Sequence, residues 1–423
     1  MSVTSFRAAD GQTVVVVGAG QGGFQAACSL RDAGHTGRIV VVGDEPGLPY
    51  QRPPLSKAYL RDPHTPVLLR GEDFFTAKRI DLRDGTRVRA IHRSDHTVEL
   101  ADGELLAYDQ LVIATGARPR HLPVPGAGLD GVMELRTLPD AEAFRARLAG
   151  SRDVVVVGGG FVGMEIAATV SAEGHRVAVV ESLDRPMARA VSPEVSIHLA
   201  QVHRKHGVQV LMGRAVESVA DDGAGGVSAV VLRDGTRLSA DVVLVGIGAV
   251  PNSELARDAG LAICPVTGGV VVDEHLVTSD PAISAIGDCA TYPSVHAELP
   301  VRLESVQNAV DHARHVAARM VNGVSARYGK VPWFWSHQYD VKLQIAGLAD
   351  APSADDATVV FGDPATGSFS VGRYRGDRLV AVESVNRAAD HMAARKVLAE
   401  GARPTRAEAQ QPGFDLREYL RAR

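Results

Sequence analysis

Two short glycine runs carry the clearest chemistry in this chain. Gly18-Ala19-Gly20-Gln21-Gly22-Gly23 and Gly158-Gly159-Gly160-Phe161-Val162-Gly163 share the spacing GxGxxG. At a strand-to-helix junction such glycines permit a tight turn and let backbone N–H groups approach a pyrophosphate, with the helix N-terminus favouring the anion. Each run is followed, roughly 20 residues on, by an acid suited to a ribose hydroxyl, Asp44 in the first case and Glu181 in the second. A carboxylate at Glu181 accepts from a free 2′-hydroxyl and repels a 2′-phosphate, which predicts NADH over NADPH. The nearby Arg185 either blunts that preference or is a solvated side chain. Two such units predict two dinucleotides, a flavin and a nicotinamide, at a shared cleft.

The elements around these runs fit the same chemistry. "TVVVVGAGQGGFQAACSLRDAGHTGRIVVVGDE" and "DVVVVGGGFVGMEIAATVSAEGHRVAVVES" each predict strand, glycine turn, helix and second strand. Valine runs without polar alternation predict strands covered on both faces, as in parallel sheets. "TRVRAIHRSDHTVELADGELLAYDQLVIATGARPR" predicts short strands with an Asp-Gly turn and a return to the first sheet. "ADVVLVGIGAVPN" reads as the end of the second domain and "ISAIGDCATY" as the completion of the first. "LESVQNAVDHARHVAARMVNG" predicts a helix stopped by glycine. A hairpin near Arg375–Arg378 and a helix near Ala388–Glu400 follow. The expected fold class is α/β, with two Rossmann-like domains and a C-terminal α+β domain. The expected bounds are 1–117 and 248–325 for the FAD domain, split in sequence, 118–247 for the NAD domain and 326–423 for the last.

Sulfur chemistry is the notable gap. In flavoproteins that pass electrons to disulfides, a redox cysteine is expected near "LPYQRPPLSK", Leu48 to Lys57, and none is there. Cys28, Cys264 and Cys289 lie far apart with no CxxC or metal spacing. That excludes a dithiol relay and predicts a reduced, intracellular protein. Of the three, Cys289 is read as the most reactive, on the expectation that a helix N-terminus lowers its pKa.

Composition narrows the partners. The 423 residues are 45% hydrophobic and 22% charged, with a formal net charge of −5. A mildly acidic chain argues against nucleic acid, which demands concentrated basic charge. No apolar run approaches the length of a membrane span. "MSVTSFRAADG" has no apolar core after a basic start, so no secretory signal is read there and a cytoplasmic location is expected.

Beyond the fingerprints, "LPYQRPPLSKAYL", "ATGARPR", "GGGFVGMEIAA", "GIGAVPN", "GDCA", "ESVQNA" and "PWFWSHQYDVKLQIAG" occur in this order across nearly the whole chain. Together they resemble the FAD-dependent NADH:ferredoxin/rubredoxin reductases. That family includes putidaredoxin reductase and the reductases of aromatic-ring dioxygenases, with apoptosis-inducing factor a relative. The resemblance implies a glutathione-reductase-like architecture. It also implies an FAD site built from Gly22, Asp44, Lys57, Val88, Arg120 or Arg136, Asp288 and Val306, with Arg52, Glu304 and Trp335 as further candidates. Gly248 of "GIGAVPN" joins the cofactor-binding set. Asp288 can accept from a ribityl hydroxyl, and either arginine can offset phosphate charge. Trp335 covers the ring system or fills a domain core.

By the same resemblance, Lys57 and Glu165 lie close to the flavin N5 and the nicotinamide. There a lysine stabilises the anionic reduced flavin, and the glutamate orients both the lysine and the carboxamide. A purely structural ion pair is the other reading. His337 stands where relatives more often carry an acid. The implied activity is hydride transfer from NADH to FAD and single-electron delivery to an iron–sulfur ferredoxin serving a cytochrome P450 or dioxygenase. Arg314 and Lys342 are expected to contact an acidic ferredoxin. An NADH oxidase and a redox-gated interaction protein, like apoptosis-inducing factor, are the alternatives.

Overall fold

The computed structural model describes residues 11–349 and 354–422. The stretch read above for a secretory signal therefore lies, but for Gly11, outside the described residues. The chain forms two compact units, one of residues up to 51 with 67–118 and 250–332, the other of 52–66, 119–249 and 333 onward.

The first unit is organised by a five-stranded parallel sheet. Its spatial order is Ile283–Ala285, Gln110–Ile113, Val14–Val17, Ile39–Val42, Ile80–Arg83. Every residue of the strands Val14–Val17 and Ile39–Val42 is buried, as expected for valine runs covered on both faces. The helix Gln21–Asp32 makes the crossover between these two strands and packs against the long helix Val306–Asn322. That second helix ends at Gly323, whose left-handed φ of 63° forms the C-cap glycine is suited to. An antiparallel meander of Val88–His92, Thr97–Leu100 and Leu105–Ala107 hangs from the sheet, turning at Asp102-Gly103. The strand Ile283–Ala285 reaches the sheet late in sequence, beside Gln110–Ile113.

The second unit repeats the parallel pattern in the order Gln209–Met212, Arg176–Glu181, Asp153–Val157, Val242–Val245, Val132–Glu134. Its crossover helix is Phe161–Ala172. A five-stranded antiparallel sheet follows, ordered Trp333–Gln338, Val341–Gly347, Arg378–Val385, Ser368–Arg375, Asp356–Asp363, with the helix Ala388–Glu400 packed on it. The short segment Pro53–Arg61 also belongs to this unit and packs against Phe161–Ala172. The antiparallel sheet grips the helix Pro193–Lys205 through Glu383. Its fully buried carboxylate accepts from the Ser192 N–H at 2.9 Å and from Ser192 Oγ at 2.6 Å, and pairs with Arg373 at 3.3 Å. Ser192 is the N-cap of that helix, so the carboxylate answers both orphan donors and the helix dipole.

Among the described residues no helix is long and apolar enough to cross a membrane.

Burial holds four histidines neutral: it pushes His203, His315 and His391 down to about 4 and His312 to about 3, from an ordinary 6.5. The unfolded chain takes up protons on these groups near pH 6.5, while the folded chain refuses them until about pH 4. The unfolded state thus binds more protons between those values, so stability is full above pH 6.5 and is lost as pH falls. Glu383, pushed up by burial, opposes this, but as one group against four. The thermal midpoint should fall continuously from pH 7 to pH 5, each neutral histidine adding up to about 1.4 kcal/mol per pH unit. A midpoint that is flat or rises over that range would contradict the burial of these rings.

Candidate active site

The two glycine fingerprints divide their labour in the same way. Gly18 has φ 110°, and a Cβ there would lie 2.2 Å from the Ala114 carbonyl oxygen; at Gly23 one would lie 1.8 Å from the Gly18 oxygen. In the second unit Gly158 has φ 107°, with its Cβ position 2.3 Å from the Gly246 oxygen, and that of Gly163 is 2.1 Å from the Gly158 oxygen. These outer glycines are demanded by the fold itself. The middle glycine is different: a Cβ on Gly20 meets nothing within 4 Å, and one on Gly160 has its nearest neighbour at 4.0 Å. Each middle glycine is also the N-cap of its helix, and neither helix has a side-chain cap. Open space in front of uncapped N–H groups is what a pyrophosphate needs, so both cradles fit a dinucleotide.

The acids sit beside these loops. Gly43 approaches Ala19 so closely that a Cβ on it would lie 2.5 Å from the Ala19 Cβ, which sets the next residue, the exposed Asp44, at the first loop. Glu181 ends the strand Arg176–Glu181; its Oε2 accepts from the Gly159 N–H at 2.7 Å and its Oε1 from the Leu183 N–H at 2.9 Å. Its carboxylate is thereby aimed by the second loop. The Arg185 guanidinium donates to the Val191 and Ala188 carbonyls at 2.8 and 3.0 Å, which ties it to its own loop.

In the first unit, Gly22 packs toward Ile286 and Ala309, and Val88 lies in the hydrophobic core. Asp288 occupies the turn Gly287–Cys289, and Val306 opens the helix Val306–Asn322, capped by Ser305. Arg302, which the sequence did not single out, ties this region together by donating to the Asp288 carbonyl at 3.0 Å and pairing with Glu304 at 2.7 Å. In the second unit Arg52 donates to the Arg136 carbonyl at 2.7 Å, while Arg120 is exposed, its N–H bonded to the carbonyl of Gly248. Gly248 has φ 108° and open space around its Cβ position. Trp335 is half-buried and tilted against Trp333 at 5.3 Å between centroids. Arg314 is exposed beside Asp311 at 3.7 Å, and Lys342 is exposed on the antiparallel sheet.

Lys57 and Glu165 meet. The Lys57 ammonium lies 2.5 Å from Glu165 Oε2 and also donates to the Pro53 carbonyl at 3.2 Å. Glu165 is 5% exposed, and its two oxygens are further served by Ser56 Oγ and Ser336 Oγ, each at 2.8 Å. Thr169, one helical turn on, donates to the Ser56 carbonyl at 3.0 Å and so fastens the Pro53–Ser56 turn to the helix carrying Glu165. The serines escaped the sequence reading, although Ser56 adjoins Lys57 and Ser336 lies on the buried side of a strand whose polar residues alternate, Ser336 and Gln338 in and His337 out. Burial and then the positive charge of Lys57 push His337 down.

The thiol reading needs correction. Cys289 ends a three-residue turn and does not open a helix; it is fully buried, and burial pushes its thiol up. Its Sγ donates to the Ile286 carbonyl at 3.2 Å. Cys28, also buried, is pushed up to about 11. Only Cys264 moves down: burial pushes it up, but hydrogen bonds from Thr267 and the Val266 backbone outweigh that.

Residues 12–313 match the pyridine nucleotide-disulphide oxidoreductase model and residues 333–420 the reductase C-terminal model. The chain belongs to the pyridine nucleotide-disulphide oxidoreductase family. It is 50% identical over 409 residues to rhodocoxin reductase of Rhodococcus erythropolis, covering 96% of this chain and 93% of that one. To putidaredoxin reductase CamA of Pseudomonas putida it is 42% identical, over 92% of each chain. Among solved structures, the ferredoxin reductase for the CYP199A2 system from Rhodopseudomonas palustris aligns with a TM-score of 0.91 and 46% identity, covering 97% of this chain and all of that one. A covalent putidaredoxin reductase–putidaredoxin complex also aligns at 0.91, with 39% identity over 98% of this chain and 99% of that one.

Two outcomes follow from this geometry. Wild-type kcat/KM should favour NADH, and Glu181→Ala should narrow the NADH/NADPH ratio by about tenfold, equivalent to about 1.4 kcal/mol. Alkylation of the folded protein followed by peptide mapping should label Cys264 well ahead of Cys28 and Cys289, with turnover preserved. Labelling of Cys289 first would contradict its burial.

Proposed function

We infer that this protein is an NADH-dependent, FAD-containing reductase that delivers single electrons to a small iron–sulfur ferredoxin serving a cytochrome P450 or dioxygenase. The observation that carries the reading is the Lys57–Glu165 pair, set in a chain that resembles ferredoxin reductases from end to end and whose three free cysteines lie apart, with none in the Leu48–Lys57 stretch to form a relay. FAD, when bound, supplies the chemistry that the side chains lack, accepting a hydride and yielding electrons one at a time.

In this reading the chain binds, orients and neutralises. The first fingerprint, Asp44 and Asp288 hold the pyrophosphate and hydroxyls of FAD, with Arg302 steadying the Asp288 turn and Glu304. Val88 and Val306 border that site, and Arg52 with Arg120 or Arg136 offset phosphate charge. The second fingerprint, Glu181 and Gly248 hold NADH. Lys57 supplies positive charge where negative charge accumulates on the ring system, and Glu165 fixes the direction of the ammonium. Trp335 flanks that ring, and Arg314 and Lys342 present positive charge to an acidic ferredoxin. Lacking a paired thiol, the protein suits a reducing cytoplasm.

Lys57→Met and Glu165→Ala, purified with FAD bound, should each slow NADH-driven flavin reduction in stopped flow by at least tenfold while the oxidised flavin spectrum stays close to wild type. With wild-type enzyme, cytochrome c reduction should require an added [2Fe–2S] ferredoxin. Oxygen serving as the preferred acceptor would overturn the ferredoxin assignment, and unaltered reduction in both variants would leave the ion pair structural.

A further inference from the structure

Glu165 stands at the end of a longer line of hydrogen bonds. Ser336 Oγ lies 2.8 Å from Glu165 Oε1; Gln338 Nε2 lies 3.1 Å from Ser336 Oγ; and His203 Nε2 lies 2.9 Å from Gln338 Oε1. Glu165, Ser336, Gln338 and His203 are all buried. The chemistry of the groups fixes the direction. A carboxylate only accepts, so Ser336 donates its proton to Glu165. Ser336 oxygen then accepts from the Gln338 amide NH2, which turns the amide oxygen toward His203 and places the proton of that ring on Nε2. Every donor points toward Glu165, as do Ser56 and Lys57 from the other side.

The far end is anchored. His203 sits in the last turn of the helix Pro193–Lys205, whose N-terminus is held by Glu383, and its ring packs edge-on against Tyr339 at 5.1 Å. Tyr339 is in turn stacked on His206 at 3.8 Å and bonded to Ser171 at 2.6 Å.

We propose that Gln338 and His203 are positioning residues for the Lys57–Glu165 pair, a directional arm that fixes the rotamer of the Glu165 carboxylate and through it the Lys57 ammonium. The proposal rests on the reductase reading above. Such a polar line across a core is costly unless complete; every link from His203 to Glu165 is made, and the one cost left along it is His203 Nδ1, which is buried without a hydrogen-bond partner. Removing the middle member frees Ser336 to donate elsewhere and leaves Glu165 Oε1 without a dictated partner.

The test compares FAD-replete Gln338→Leu and Gln338→Glu, and His203→Phe and His203→Gln, with wild type. Gln338→Glu keeps the shape but offers Ser336 an acceptor in place of a donor, reversing the line. His203→Gln retains an N–H donor and His203→Phe only the ring. Flavin reduction by NADH should slow about tenfold in both Gln338 variants and in His203→Phe, with His203→Gln recovering most of the rate. The flavin midpoint potential, measured by equilibrium dye reduction, should move in the direction found for Lys57→Met. Adding Gln338→Leu to Glu165→Ala should cost nothing further, because the arm acts through that carboxylate. Wild-type rates and potential in a folded Gln338→Glu or His203→Phe protein, or additive losses in the double variant, would overturn the arm while leaving the reductase reading intact. Failure of the wild type itself to reduce its flavin with NADH would overturn that reading and the arm together.

Discussion

A carboxylate taken almost wholly out of water must be paired and hydrogen-bonded, and that requirement organises the second unit around Glu165. The helix Phe161–Ala172 has to present it, the Pro53–Ser56 turn has to bring Ser56 and Lys57 to it, and the strand Trp333–Gln338 has to bring Ser336. Three pieces of chain far apart in sequence are thereby fixed on one group. Removal of Lys57 strands a buried charge and removal of either serine leaves a buried carboxylate oxygen short of a donor, whereas the intact set holds an ammonium in a defined direction. The same interactions that make the site electrostatically useful make the unit cohere.

The family's name refers to disulphide chemistry, yet this chain retains the two cradles and omits the sulfur. What remains in the Leu48–Lys57 stretch is a proline turn and a lysine. The exchange is coherent in physical terms. A dithiol stores two electrons and a proton-coupled bond, whereas an ammonium stores nothing and only biases charge. Electrons that enter such a site have no internal resting place in the side chains, which suits an acceptor that takes them singly.

Much of this was legible in the sequence because the signals were local. The fingerprints announce themselves by spacing, the valine runs by their lack of alternation, and the helix Ala388–Glu400 and the Arg375–Arg378 hairpin by their periodicity and turn. Lys57 and Glu165 emerged from the ordered set of motifs, since nothing in spacing alone joins residue 57 to residue 165. Ser336, Gln338, His203 and Arg302 stayed hidden for that reason: their partners are set by the folded chain. The in-out alternation of Ser336, His337 and Gln338 was the one visible trace, polar residues on the face a strand usually gives to hydrophobes. Cys289 misled for the opposite cause. Its neighbours suggested a helix start, but the turn ends there and the core closes over the sulfur.

That closure has a consequence for durability. Flavin enzymes leak electrons to oxygen and work amid their own peroxide, and peroxide attacks thiolates far faster than thiols. Cys28 and Cys289 are buried, and burial keeps both protonated, so the sulfur lying beside Asp288 is also the sulfur least able to be oxidised. That leaves Cys264, half-buried on a loop and with its thiol pushed down, as the sulfur with the most thiolate to offer.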